Sequence, residues 1–424
     1  MKQLAGSSPI RAILEIAADK RTDEQVSVLR DHYFATEDKD YSALKKNVDA
    51  LVAKETQLKK PMTSVMIMGD MAKPRETFVL NRGAYDSPSQ TKVTAGSPSV
   101  LPPMGADLPA NRLGLAKWLF QDDHPLTARV VVNRYWQLFF GTGLVATPED
   151  FGAQGDFPSH PKLLDWLAVD FREHGWNIKR LVKQIVTSST YCQTSQSTSR
   201  QFKSDPQNRL IARGPRFRLQ GEFIRDNALM LSGLLVDQFG GPGVKPYQPP
   251  GLWKEVGLGG NPKFVQDHGD KLYRRSLYTY WKRSAPPPSM QIFDAPTREK
   301  CTVQRARTNT PLQALVTLND TQFVEAARNF AQQILAFDQK ANCDRIKTAF
   351  RQATARLPDA DESQVLSAVL DEAKERYTND LESAKKLLAV GESKRDESLD
   401  VAEHAAWTIV ATAILNLDET LTRE

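Results

Sequence analysis

Cysteine is scarce in this chain, and long apolar runs are absent. The three cysteines, Cys192, Cys301 and Cys343, lie far apart and form neither a C-x-x-C pair nor a C-x-x-C-H haem attachment motif. One disulfide is compatible with this spacing, so cysteine usage leaves the redox compartment open. No apolar run reaches the roughly 20 residues that a membrane-spanning helix needs. The best candidate, 405–417, is shorter and contains two Thr and an Asn. We therefore predict no transmembrane segment.

Familiar targeting and catalytic signatures are also missing. Glu15, Asp19 and Asp23 interrupt the first 25 residues, which lack the layout of a secretory signal peptide. There is no P-loop, no H-E-x-x-H, no G-x-S-x-G, no EF-hand loop and no zinc spacing of Cys and His. The glycine-rich stretch 257–260 precedes Asn261-Pro262, which does not suit the start of a Rossmann helix. The sequence therefore predicts no metal and no cofactor in this chain.

The charge of the chain is unevenly distributed. The total is only +5, from 56 Lys+Arg and 51 Asp+Glu. Residues 205–310 carry an excess of basic side chains, whereas residues 341–424 carry an excess of acidic ones. Two interpretations remain open: the two regions are solvated or meet each other, or the basic region forms an anion-binding surface.

Apolar spacing predicts a mainly α chain of the α+β class, with a multi-helix globular core, a small β element near 61–100 and long ordered loops at 240–306. Short strands are expected at 65–68 and 77–80, a strand at 272–281 and a long helix over 217–235. The predicted organisation has four parts: an N-terminal helical segment (1–60), a small β/loop segment (61–110), a central helical core with basic aromatic-rich loops (111–335), and a C-terminal acidic helical segment that packs on the core (336–424).

Polar residues recur on the otherwise apolar helix predicted over 126–140. Arg129, Asn133 and Gln137 follow one another every four residues, and Arg134 lies beside them. Polar groups on a buried helix must be paired or must line a wet cleft. Either a structural network or a ligand site explains this stripe.

The segment 150–161 offers a weak catalytic hypothesis. Asp150, Asp156 and His160 are residue types that coordinate metals or exchange protons. The alternative is structural, because Gly152 and Gly155 suit turns and a helix begins after Ser159. Asp150 and His160 remain weak acid–base candidates.

Arginines beside aromatic residues concentrate in the basic region. Such pairs suit a planar anion or a sugar ring, through bidentate hydrogen bonds and stacking. No recognised nucleic-acid-binding motif accompanies them. The alternative is that arginines pair with Asp226, Asp294 and Glu299 to hold the loops. The predicted ligand-binding residues are Asn133, Arg134, Arg216, Arg218, Arg275, Lys282, Arg283, Arg305, Arg307 and Asn309.

Several motifs occur in a recognisable order along nearly the whole chain. Together they resemble the planctomycete-specific domain of unknown function found at the C-terminal end of large planctomycete cytochrome-c-domain proteins. The motifs are Asn133-Arg134-Tyr135-Trp136, Asp150-Phe151-Gly152, Pro158-Ser159-His160-Pro161, Arg213-Gly214-Pro215-Arg216-Phe217-Arg218, Tyr273-Arg274-Arg275-Ser276-Leu277-Tyr278 and Thr308-Asn309-Thr310-Pro311-Leu312-Gln313.

The resemblance implies a setting rather than an activity. Family members are usually longer and exported, with an N-terminal cytochrome-c-like module, so a periplasmic or cell-envelope location is implied. This chain resembles a truncated or separately encoded C-terminal module, and it lacks a haem motif. Three hypotheses follow: a module that binds an anionic polymer or glycan, a hydrolase acting on an extracellular polymer, or a structural partner of a cytochrome-bearing protein.

Overall fold

The fold is mainly α, as predicted, with two small antiparallel sheets among the described residues. The computed structural model describes residues 9–62, 64–71, 73–257, 263–337 and 341–423. Gly259 and Gly260 of the glycine-rich stretch lie outside them, as does Asn261-Pro262. Contacts divide the chain into two compact units, residues 1–95 and 96–424. The division into four segments stays a prediction.

The first unit contains helices and one β-hairpin. Its elements are α1 (Pro9–Leu14), a 3₁₀ helix (Ala18–Lys20), α2 (Asp23–Thr36), α3 (Lys39–Lys59), β1 (Thr77–Leu80), a 3₁₀ turn (Asn81–Gly83) and β2 (Pro88–Val93). Thr22 and Gln25 start α2 with a reciprocal capping box. The strand predicted at 65–68 is wrong: these residues have no strand partner and each is at least 74% exposed, so neither pairing nor burial holds them extended.

The second unit holds the hydrophobic core. Its helices are α4 (Arg112–Leu119), α5 (Thr127–Phe140), α6 (Pro161–Glu173), α7 (Ile178–Val186), α8 (Ser199–Ser204), α9 (Gly221–Leu231), α10 (Leu252–Glu255), α11 (Pro288–Ile292), α12 (Pro311–Asn319), α13 (Thr321–Ala336), α14 (Asn342–Thr354), α15 (Ala360–Asn379), α16 (Leu381–Leu388), α17 (Val401–Leu415) and α18 (Asp418–Leu421). Strands β3 (Phe217–Arg218) and β4 (Thr422–Arg423) pair antiparallel.

The largest core cluster forms around α13 and α17. It combines residues of α9 and α13 with residues of α14 to α18, including the fully buried Phe330, Phe350 and Trp407. The apolar stretch 405–417 is therefore mostly α17, the central helix of a globular core. Among the described residues, no helix combines the length and hydropathy that a membrane crossing requires.

Two further local predictions need correction. The helix expected over 217–235 is confined to α9, because Phe217 and Arg218 pair with β4 instead. The strand expected over 272–281 is wrong: the segment forms two 3₁₀ turns, Gly269–Tyr273 and Ser276–Tyr278. Here the backbone carbonyls of Leu272 and Arg274 accept hydrogen bonds from a buried charge.

That buried charge is the guanidinium of Arg225 in α9. Arg225 is only 3% exposed. It donates to the carbonyl of Leu272 at 2.6 Å, to the carbonyl of Arg274 at 2.9 Å and to the hydroxyl of Ser276 at 3.1 Å. It also bonds the side chain of Gln322. Burial lowers the pKa of Arg225 to about 10, which leaves it protonated at neutral pH. One cation therefore holds the loop onto α9 and α13.

Arg225→Met should strongly destabilise the second unit. The substitution keeps most of the side-chain length but leaves the loop carbonyls without their donor, so we expect the free energy of unfolding to fall by about 3–5 kcal/mol. The matched control is Arg275→Met in the same loop, where the side chain is exposed and the loss should stay within about 0.5 kcal/mol. Urea unfolding measures both, and equal losses would contradict the assigned role.

A second buried titratable group lies in α17. His404 is fully buried, with Nε2 3.0 Å from the carbonyl oxygen of Arg328 and Nδ1 3.3 Å from Nε of Arg395. This arrangement assigns the neutral ring with its proton on Nε2, since Nδ1 must accept from arginine. Burial lowers the pKa of His404.

His404 should make stability fall at acidic pH. Because its pKa is lower in the folded protein than the unperturbed value of about 6.5, the unfolded chain binds protons first as pH decreases below about 6.5. His404→Gln retains a donor and an acceptor without titrating, so its stability should depend less on pH between 7 and 5. Thermal unfolding across this range tests it, and parallel curves for both proteins would exclude the effect.

Candidate functional site

Helix α5 carries one wall of the candidate site. Its apolar face, which includes Val132 and Trp136, is buried in the core. The helix ends at Gly141, whose φ of 83° favours glycine. A Cβ at Gly141 would lie 2.8 Å from the ring of Phe217 and 3.2 Å from Nη1 of Arg307. The missing side chain therefore lets Arg307 reach the end of the helix.

Arg307 is held in place by this close approach. Its Nη1 donates to the carbonyl of Gly141 at 3.0 Å, and its guanidinium lies 4.4 Å from the centroid of the Phe217 ring. Burial lowers the pKa of Arg307, although an arginine so placed remains charged at neutral pH. The chain thus fixes a cation between α5 and β3.

Three arginines, Arg307 among them, converge on a cavity of about 270 Å³. Cavities of about 150 Å³ already admit a benzene-sized molecule. Arg305 donates to Glu222 at 2.7 Å, whereas Arg134 is exposed and forms no hydrogen bond or ion pair with another described residue. The lining residues are Arg134, Gln137, Leu138, Gln220, Thr302, Val303, Arg305 and Arg307. The lining is positively charged and contains no carboxylate.

A smaller inner recess of about 10 Å³ adjoins this cavity and shares Gln220, Arg305 and Arg307 with it. Arg218 and Gln313 also line the recess, together with Leu219, Phe293, Asp294 and Ala306. Burial lowers the pKa of Arg218, which lies 3.8 Å from Asp418. Cavity and recess together form what we call the basic cavity site.

The predicted ligand-binding residues separate into two groups. Arg134, Arg305 and Arg307 line the cavity, and Arg218 lines its recess. The others contribute to neither: Arg216 forms an ion pair with Asp418 at 2.5 Å, Lys282 lies 4.7 Å from the Trp253 ring centroid, and Arg275, Arg283 and Asn309 are exposed elsewhere.

Asn133 stabilises the core, although its neighbour in the sequence, Arg134, lines the cavity. It is fully buried, and its amide bonds both backbone groups of Val145, donating to the carbonyl at 3.0 Å and accepting from the N–H at 2.9 Å. Gly143 makes room for this pair, because a Cβ there would lie 2.5 Å from the Val145 oxygen. Because the side chain is fully buried, Asn133 does not reach a ligand in either cavity.

Asp150 and His160 each bond to a neighbouring residue and make no hydrogen bond with each other. The Asp150 carboxylate accepts from the N–H of Gly152 at 2.7 Å, which closes the turn. His160 precedes α6 as its N-terminal flanking residue, and its Nδ1 lies 3.1 Å from the Ser159 hydroxyl. Ser159 itself does not cap the helix. Neither residue lines the neighbouring cavity of about 420 Å³.

Several residues of the basic cavity site were missed by sequence reasoning. Gln220 and Thr302 carry no pattern that marks them. Gln313 does carry a signal, because it is a polar residue on the apolar helix α12 and is only 1% exposed. The described residues contain no cluster of three His, Cys, Asp or Glu that could hold a metal. All three cysteines are exposed and unpaired.

The fold and this site define a mainly helical module with an arginine-lined cavity. Residues 111–370, more than half of the chain, match the family model PSD1, described as a protein of unknown function (DUF1553). The chain belongs to this family, and every residue that lines the basic cavity site lies inside the matched region. Comparisons with curated proteins and with solved structures gave no match.

Truncating two adjacent residues of one motif should change the free energy of unfolding by very different amounts. Asn133→Ala leaves both Val145 backbone groups unpaired in the core, so we expect a loss of about 2–4 kcal/mol in unfolding free energy. Arg134→Ala removes an exposed side chain and should change it by less than about 0.5 kcal/mol. Urea unfolding of both variants checks this, and a comparable loss for Arg134→Ala would place that residue in the structural network.

Proposed function

We propose that this chain is a binding module whose basic cavity site holds an anionic group of its ligand, such as an acidic glycan or another anionic polymer. The observation that carries the proposal is the convergence of Arg134, Arg305 and Arg307 on one cavity. Arginine presents several N–H donors in a plane that matches carboxylate, phosphate and sulfate oxygens.

Electrostatics favours an anion here. Glu222 pairs with Arg305 at 2.7 Å and lies 4.0 Å from Arg298, so it offsets part of the charge. Arg134 and Arg307 have no carboxylate partner among the described residues. Like charges around a partly desolvated space repel one another, and a bound anion relieves that repulsion.

The cavity chemistry supports binding over hydrolysis. Glycoside and ester hydrolysis need groups that exchange protons near neutral pH. No His, Asp, Glu or Cys lines the cavity of about 270 Å³, and the candidates Asp150 and His160 bond to neighbouring residues instead. Binding is therefore our first proposal. The hydrolase remains an alternative, for which the carboxylates of Asp156 and Asp165 in the cavity of about 420 Å³ are the acidic groups nearest to hand.

The biological setting is proposed from the resemblance alone. We infer a module of planctomycete type in the cell envelope, with no haem attached to residues 1–424, that acts beside a cytochrome-c-type domain. The lack of a C-x-x-C-H motif supports the absence of haem from this chain. Co-purification of a haem protein with the native chain tests this setting independently of the cavity.

Dextran sulfate and unmodified dextran form a matched pair of test ligands. We expect the chain to bind dextran sulfate and not dextran, with an affinity that falls as salt concentration rises. Arg134→Gln combined with Arg307→Gln should weaken binding at least about tenfold, because charge-assisted hydrogen bonds are lost. Isothermal titration calorimetry measures the dissociation constants.

The control removes the same charge outside the cavity. Arg275→Gln combined with Arg283→Gln changes two exposed arginines that do not line the site and should alter affinity less than about threefold. Equal weakening by both pairs would mean that the basic surface as a whole, rather than this cavity, attracts the polymer. Circular dichroism confirms that each variant is folded.

A further inference from the structure

Two residues that line the inner recess each carry a buried polar atom with no hydrogen-bond partner in the structure. These atoms are Nε of Arg218 and Oε1 of Gln313. Gln313 is 1% exposed, and the Arg218 side chain is 11% exposed. A buried polar group without a partner costs free energy, so such groups mark places where water or a ligand completes the bonding.

The orientation of the Gln313 amide is fixed by its other bonds. Its Nε2 donates to the carbonyl of Ile292 at 2.9 Å and lies 3.2 Å from the hydroxyl of Thr308. Turning the amide over would place Oε1 against the Ile292 carbonyl, which is also an acceptor. The group without a partner is therefore an acceptor, while the Nε–H of Arg218 is a donor.

A hydroxyl group has the bonding pattern that these two atoms need. A hydroxyl accepts from Arg218 and donates to Gln313, whereas a carboxylate has no proton to donate and an ammonium group has no lone pair to accept with. The recess of about 10 Å³ holds about one group of this size. Asp294 also lines it, with its carboxylate accepting from Thr308 at 2.7 Å, which disfavours a second anion there.

We propose that the recess is a hydroxyl subsite of the basic cavity site, so that the ligand carries a hydroxyl next to its anionic group. This inference rests on the proposed function, since the anion occupies the outer cavity lined by Arg134, Arg305 and Arg307. The shared residues Gln220, Arg305 and Arg307 place the two positions side by side. The ligand class is a hydroxylated monoester anion, as in phosphorylated or sulfated sugars.

Glycerol 1-phosphate and n-propyl phosphate are the probes, because they share a three-carbon chain and a phosphate and differ in their hydroxyls. We expect wild-type protein to bind glycerol 1-phosphate about tenfold more tightly. Inorganic phosphate is the third probe and reports on the anion position alone. Glucose 6-phosphate and glucose 6-sulfate then distinguish the two sources of the anion. Ligand-observed NMR titration measures each dissociation constant.

Gln313→Met is the variant that isolates the subsite. It should reduce the preference for glycerol 1-phosphate over propyl phosphate to less than about twofold. The comparison of ligands on wild-type protein decides the proposal even if this variant does not fold. Arg275→Met serves as the variant that should preserve the preference.

The outcomes separate the two proposals. Equal binding of the two organic phosphates, with inorganic phosphate still bound, overturns the hydroxyl subsite and leaves water as the occupant of the recess. Failure of all phosphates and sulfates to bind overturns the proposed function as well. A preference that persists in Gln313→Met overturns the assignment of the hydroxyl to this recess.

Discussion

The buried guanidinium of Arg225 is the interaction on which the arrangement of the site depends. A charge at 3% exposure is tolerated only when hydrogen bonds replace the water it has lost. The carbonyls of Leu272 and Arg274 supply those bonds, and both belong to the long segment between α9 and α12. Fixing that segment has an entropic cost for every residue ordered. The hydrogen bonds to the buried cation offset part of this cost.

The same helix that carries Arg225 also organises the basic cavity site. Glu222 lies one turn earlier in α9 and pairs with Arg305, which belongs to the end of the loop. Gly221 lets α9 approach Phe293, because a Cβ there would lie 2.9 Å from the Phe293 Cβ. Directly before α9, Phe217 supports Arg307 by stacking. The loop is thus bound to α9 near its middle and near its end, and the rigid scaffold rather than the loop itself sets the spacing of the arginines.

Much of the fold follows from local rules, and the site does not. Helix α5 could be predicted from its apolar spacing, α7 from the cap at Asn177 and α12 from Pro311 in its first turn. Each of these signals acts within a few residues. Arg134 could be proposed as a ligand residue from the polar stripe of its helix, and Arg307 from the clustering of arginines near aromatic residues. That these two arginines converge on one cavity could not be predicted, because it depends on contacts between segments over a hundred residues apart. The hydrogen bond from Arg307 to Gly141 is one such contact. The 272–281 error has the same origin, because a distant cation decided the conformation.

The excess of basic residues in 205–310 is mostly structural, which narrows the search for function. Arg225 and Arg274 are buried and donate to carbonyl oxygens of the chain, and Arg216 pairs with Asp418. Such charges hold loops in place and are not available to a ligand. Arg307 differs, since it bonds one carbonyl, stacks on Phe217 and still lines a cavity. Arg134 lies outside the basic region altogether. The charge available to the proposed ligand therefore depends on how few hydrogen-bond and ion-pair partners an arginine already has, and the net charge of the sequence does not reveal it.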